Sequence, residues 1–199
     1  DLAALPFSAH PLTDPDGSLW NFGSTSLMGG HGLLVWHIDA DGQLRSANVI
    51  ETPEHGYLHA FAMTDQHLVF VMMPFDFTGA GGSFFERMQF APQRPVRIAV
   101  VAKDAPDKAQ WFEAPFAAIY HFGDAFTRDG GIVLRAVRHD DINEARSPMK
   151  EAMAGDGAHA ANSGASLVEL HLDLRRGQAR REAWGISAVT ARSSFAATP

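Results

Sequence analysis

A chain of 199 residues, 46% hydrophobic and 20% charged with a formal net charge of −7, carries enough apolar mass for a sizeable core. It lacks the basic stripe with interleaved aromatics that a nucleic-acid partner would require. Cysteine is absent, which excludes disulfides and thiolate-held metals and makes a reducing cytoplasm the natural setting. No window approaches the roughly 20 apolar residues of a membrane span. The first residues, Asp1-Leu2-Ala3-Ala4-Leu5-Pro6, show neither the basic start nor the long apolar run of a signal peptide. Position 1 is not Met, so the chain is expected to begin inside a longer product.

Short strands punctuated by turn residues dominate, with little helical periodicity. Leu33–Asp39 predicts a strand, and Asp39-Ala40-Asp41-Gly42 a hairpin turn in which glycine supplies the positive φ. Leu44–Thr52 is the return strand. Tyr57–Thr64 and His67–Met73 form the next predicted pair, joined through Thr64-Asp65-Gln66. Thr78–Ser83 (TGAGGS) reads as a flexible loop; it lacks the strand–helix context of a phosphate cradle. Val96–Lys103 and Gly131–Arg138 are further strands. Asp141–Ala161, rich in Ala, Asn and Glu, is either a short helix or a long excursion loop. Ser166–Leu174 and Gln178–Ala183 make a last hairpin around Arg175-Arg176-Gly177, whose arginines, with Arg180 and Arg181, read as a solvated surface. The expected class is all-β: a sandwich, a barrel or propeller blades, among which periodicity does not choose.

Familiar catalytic signatures are missing. There is no Gly-x-Ser-x-Gly elbow, no His-Glu-x-x-His, no Walker loop and no dinucleotide fingerprint. What stands out is the setting of three of the ten histidines. His10 lies in Ser8-Ala9-His10-Pro11, ahead of Asp14-Pro15-Asp16-Gly17 and Trp20-Asn21-Phe22-Gly23. His59 lies in Tyr57-Leu58-His59-Ala60-Phe61-Ala62-Met63-Thr64, before the apolar run Leu68–Pro74. His121 follows Trp111-Phe112-Glu113-Ala114-Pro115 and sits in Tyr120-His121-Phe122-Gly123-Asp124-Ala125. Each occupies an apolar, strand-like stretch or a strand edge, where an imidazole needs a reason to be buried.

In these three motifs, in their order and in their separations of 49 and 62 residues, the chain resembles the carotenoid cleavage oxygenases. That family comprises the carotenoid, apocarotenoid and lignostilbene dioxygenases and the retinal pigment epithelium type. Arg97–Lys103 is a counterpart of a further family stretch between the second and third motifs. The resemblance implies part of a seven-bladed β-propeller with one Fe(2+) on its axis, held by four histidines from different blades. His10, His59 and His121 would be three of these, the fourth being expected beyond the chain end. An all-imidazole set is neutral and leaves coordination positions open for O2. The implied reaction is oxidative cleavage of a conjugated C=C bond of a carotenoid, apocarotenoid or stilbene into two carbonyl products, with the apolar polyene or stilbene-like substrate in an apolar tunnel. Such substrates reside in bilayers, so the resemblance leaves room for peripheral membrane contact by a cytoplasmic protein, although no amphipathic anchor is evident. It fixes no oligomeric state.

At roughly 40–50 residues per blade, the length corresponds to about four blades. Residues 1–199 are therefore expected to be a single partial propeller domain, incomplete at both ends: a fragment or truncated product. Ala191–Pro199 lacks the family's Glu-Phe-Pro segment and final histidine, and His139, His159 and His171 do not fit the fourth motif. Ala60 stands where the family usually has Asp, and Asp124 where Asn is usual. Carboxylates normally orient ligand histidines; Glu113, Glu169 and Glu182 are the candidates, each read as a surface residue. His171 is expected to point outward, and His31, His37, His55 and His67 to be structural or surface residues. Two other function classes are carried alongside. One is an inactive propeller segment acting as an apolar-ligand or interaction module, and the other is a three-histidine zinc hydrolase.

Overall fold

The computed structural model describes residues 5–27, 30–78, 87–140, 155 and 164–183. The glycine-rich loop beyond Thr78, nearly all of the Asp141–Ala161 excursion and the Ala191–Pro199 tail lie outside the described residues, as does His159. Among those described, every assigned element is a β-strand, as expected.

Three antiparallel sheets follow one another along the chain. In the first, β1 (Leu12–Thr13), β2 (Leu19–Leu27), β3 (Gly30–Ile38) and β4 (Leu44–Thr52) lie side by side in sequence order. The second places β5 (Gly56–Tyr57) and β6 (Ala62–Met63) along one side of β7 (His67–Phe77). β8 (Met88–Phe90) pairs the far end of β7, and β9 (Val96–Ala102) and β10 (Ala109–Ala114) complete the sheet on its other side. The third runs β11 (Ala118–Arg128), β12 (Gly131–His139), β13 (Ala165–Asp173) and β14 (Gln178–Ala183). Repeated meanders of about four strands are the construction of propeller blades. Three blades are described where the length corresponds to about four.

The middle sheet has two buried faces, and its sequence shows why. From Leu68 to Phe75, β7 is an unbroken apolar run, as in strands covered on both sides. Val69, Val71, Met73 and Phe75 join Ile98 and Val100 against Ile132, Leu134, Leu170 and Leu172 of the third sheet. Leu68 and Phe70, with Ala99 and Val101, pack against Trp20, Phe22, Leu33 and Val35 of the first. Phe70 is fully buried, edge-on to Phe22 at 5.8 Å and stacked with Phe61 at 5.3 Å between ring centroids.

The turns follow their predicted chemistry. Asp39 accepts from the Gln43 backbone N–H at 2.7 Å while Gly42 takes φ 78°, closing β3 onto β4. Asp173 accepts from Arg175 and Arg176 N–H at 3.0 Å each, with Gly177 at φ 64°. One predicted strand is corrected: Tyr57–Thr64 is not continuous but splits into β5 and β6, with Leu58–Phe61 out of the ladder. Tyr57 pairs with Met73 and Ala62 with Val69, so one residue more is spent on the outer side than on β7, and a bulge results.

Truncation of Phe70 to alanine is expected to cost about 3–5 kcal/mol. Val49→Thr, at a site 40% exposed, should stay within about 0.5 kcal/mol. Equilibrium urea unfolding of both variants checks the assignment of the inter-sheet core.

Candidate metal centre

Each of the three motif histidines stands at the leading edge of a different sheet. His10 immediately precedes β1, His59 lies in the break between β5 and β6, and His121 lies on β11. The last two sit where the ladder is irregular. On β11, Ile119 pairs with Arg138 but Phe122 with Ala136, so one extra residue is accommodated around Tyr120 and His121. Such bulges re-aim a side chain that regular alternation would fix to one face.

The three edges bring the imidazoles together. Nε2 of His10 lies 2.9 Å from Nε2 of His59. The ring centroids are 4.5 Å apart for His10–His59, 5.5 Å for His10–His121 and 4.9 Å for His59–His121. One ring nitrogen from each falls within 4.8 Å of the others. Nitrogens bound to one cation at roughly 2.0–2.1 Å lie about 3 Å apart when adjacent, so the His10–His59 pair has the spacing of two ligands of one transition metal, with His121 close by. Burial, then the neighbouring His10 and His121, push the His59 pKa below its usual 6.5; burial, then His10, does the same for His121. Both rings are thereby kept neutral with a lone pair to offer. His10 and His59 are half-buried and His121 is exposed, which leaves the cluster open on one side.

Among the carboxylate candidates, none orients these rings. Glu113 pairs with Arg97. Glu169 accepts from Arg135 Nε at 3.0 Å, and Glu182 lies 3.5 Å from His171. The partner of His59 is a neutral group that sequence reading missed: the Tyr57 hydroxyl, 3.3 Å from Nδ1. Nothing in the sequence marked it, because Tyr57 ends β5 and His59 lies in the break beyond it. Ala60 is buried. Asp124 is not directed at the cluster; it pairs with Arg135 at 3.2 Å.

Of the other histidines, His139 packs edge-on to Tyr120 at 5.7 Å, beside the cluster. His37 stacks on Trp20 at 4.0 Å, His31 on His55 at 4.0 Å, and His171 lies 3.2 Å from Glu169 rather than projecting freely. In the Arg97–Lys103 stretch, Lys103 reaches Asp14 at 2.5 Å, and Asp14 also accepts from the Trp20 indole at 2.9 Å. This pair ties the second sheet to the turn that follows His10. An open cleft of about 1490 Å³ is lined by Glu51, Arg97, Glu113, Arg128, Glu169 and His171 among others. Its charged walls and its distance from the cluster residues make it a poor match to an apolar substrate.

Sequential antiparallel sheets of four, six and four strands, presenting histidines at their leading edges, define a β-propeller protein with an all-imidazole candidate centre. The sequence profile described as Retinal pigment epithelial membrane protein matches residues 1–196, and the chain belongs to that family. Among curated relatives, it is 27% identical over 190 residues to a carotenoid 9,10(9',10')-cleavage dioxygenase 1 of Arabidopsis thaliana, covering 92% of this chain and 34% of that protein. It is 28% identical over 153 residues to an apocarotenoid-15,15'-oxygenase of Synechocystis, covering 69% and 30%. The chain thus spans about a third of the length of the curated relatives it matches. Cobalt-substituted Synechocystis apocarotenoid oxygenase superposes with a TM-score of 0.73 at 18% identity, covering 92% of this chain and 41% of that one. A chimera of that oxygenase with the retinal pigment epithelial protein gives 0.75 at 20%, with the same coverage. These structures share the propeller fold.

Burial is the leading cause of lowered pKa values at His55, His59, His67, His121 and His139. Below pH 6.5 the unfolded chain takes up protons that the folded one refuses until its lower values are reached. Stability is therefore full above 6.5 and falls as the pH drops through that window. The urea midpoint of the metal-free protein is expected to fall between about pH 7.5 and 5; an unchanged or rising midpoint would contradict the burial of these rings.

Proposed function

We propose that this chain is part of a non-haem iron(II) dioxygenase that cleaves a conjugated C=C bond of a carotenoid, apocarotenoid or stilbene with O2. His10, His59 and His121 are three of the iron ligands in this reading. The observation that carries it is the meeting of three imidazoles from three blades, with one ring nitrogen of each within 4.8 Å of the others. The relatives' names support the chemistry: carotenoid and apocarotenoid oxygenases, and a resveratrol cleavage oxygenase of Aspergillus fumigatus at 26% identity. A neighbour of the same fold is a cobalt-substituted protein.

Iron, when bound, supplies the redox reactivity toward O2 that a redox-inert zinc ion lacks. The chain's own residues do the rest. His10 and His59 direct Nε2 at a common point, and the Tyr57 hydroxyl engages Nδ1 of His59, which keeps its ring in that orientation. With Nε2 of His59 given to a metal, its Nδ1 would carry the proton and donate to the Tyr57 hydroxyl. Apolar and aromatic packing from Phe61, Phe90 and Tyr120 holds the edges in register behind the rings. The substrate is expected to be an apolar polyene, and the protein's task is its orientation and the exclusion of water.

In the full-length protein, His59→Ala should remove most of the bound iron and lower O2-dependent polyene cleavage by more than the ~10–100-fold typical of losing an orienting partner. Metal analysis with oxygen uptake and product carbonyl detection makes the check. Iron bound without oxygen uptake would identify a ligand-binding module instead, and zinc with hydrolysis would overturn the oxygenase reading.

A further inference from the structure

Asn21 is one of three buried polar residues in the described part of the chain, with Ser18 and Thr64, and it is wholly inaccessible. It lies on β2 between Trp20 and Phe22, whose rings face the second sheet, so its own side chain and Gly23 belong to the opposite face. Across that face runs the segment Leu5–Ser8, which leads directly to His10. Asn21 Nδ2 donates to the Ser8 carbonyl at 2.8 Å, while its Oδ1 accepts from Phe22 N–H at 2.8 Å. A backbone N–H can only donate, so the amide's orientation is fixed.

Three more bonds complete the strap. Ser8 N–H donates to the Phe22 carbonyl at 2.8 Å, the Trp36 indole donates to the Pro6 carbonyl at 3.0 Å, and Ser8 Oγ accepts from His10 N–H at 3.2 Å. The approach at Gly23 is so close that a Cβ there would sit 2.2 Å from the Pro6 oxygen. Sheet pairing begins only at Leu12, after His10.

We infer that Asn21 is a positioning residue of the metal centre: through Ser8 it sets where His10 presents its imidazole, with Gly23 providing the space. The inference rests on His10 being a ligand. Replacing Asn21 by Asp keeps the shape and the acceptor for Phe22 but puts an oxygen against the Ser8 carbonyl. Gly23→Ala pushes on the same strap from below without touching the amide.

The test titrates the full-length apoprotein with Co(II), reading its visible ligand-field bands, for Asn21→Asp, Gly23→Ala, His10→Ala and Val35→Ala. Val35 is buried on the other face of the same sheet, so its truncation lowers stability without reaching the strap. The first two variants are expected to bind Co(II) about tenfold or more weakly, with bands displaced toward those of His10→Ala, while Val35→Ala keeps wild-type affinity and bands. Wild-type binding and spectra in both strap variants, with His10→Ala impaired, would overturn the inference and leave the ligand assignment standing. Equal losses in Val35→Ala would overturn it as well, by making the effect one of general stability. Unchanged binding in His10→Ala would defeat the ligand assignment itself, and the positioning role with it. Gly23→Ala decides the matter should Asn21→Asp fail to fold.

Discussion

Imidazoles repel one another once protonated and cost free energy when buried, so three of them remain together only if the surrounding packing holds them there. In this chain that packing is the double interface of the middle sheet. β7 and β9 contribute side chains to both faces, and the clusters so formed clamp the first and third sheets on either side. Because His10, His59 and His121 each ride on a different sheet, their mutual distances are set by these interfaces rather than by any local turn. A shift of one sheet against its neighbour would separate ring nitrogens that now lie within 4.8 Å.

The sheets alone could not finish the task. A regular strand sends alternate side chains to its two faces, and those faces are committed to the core. The clustered histidines are found where that rule is relaxed. His59 occupies the break between β5 and β6, His121 an irregular stretch of β11, and His10 a segment ahead of any pairing. Those at His59 and His10 are then secured by side-chain bonds. Tyr57 engages His59, Asn21 fixes the approach to His10, and Lys103 anchors Asp14 just beyond it. Asp14 and Lys103 are both largely buried, so the loss of either partner leaves the other charge poorly solvated.

What could be read beforehand follows from this division. β4, β9 and the last hairpin carry local signals, namely glycine at positive φ, aspartate-capped turns and β-branched runs, and they fall within a residue or two of their predicted limits. The Tyr57–Thr64 strand was misread because a bulge leaves composition unchanged and alters only register. β2, β10 and β11 went unassigned, their small, polar or aromatic residues making sense only against neighbouring sheets. The three histidines were legible through motif context, not periodicity. Tyr57 and Asn21 were invisible as site residues: a buried, fully bonded asparagine and an exposed one are the same letter, and only the strap lying over Gly23 distinguishes them.

The acids complete the electrostatic argument. Glu54, Glu113, Asp124 and Glu169 are each matched to an arginine, and Arg135 beside Glu169 holds that carboxyl below the ordinary carboxylate range. These acids of the described residues are thus paired with arginines and not with the clustered imidazoles. A cation held by neutral rings, with a phenol and not a carboxylate behind His59, would retain more of its charge than one with an anionic ligand. The same choice lowers the basicity of His59 relative to a carboxylate-backed histidine. Metal affinity in the proposed site would therefore rest on geometry more than on charge, and the packing between sheets and the strap over β2 would bear directly on it.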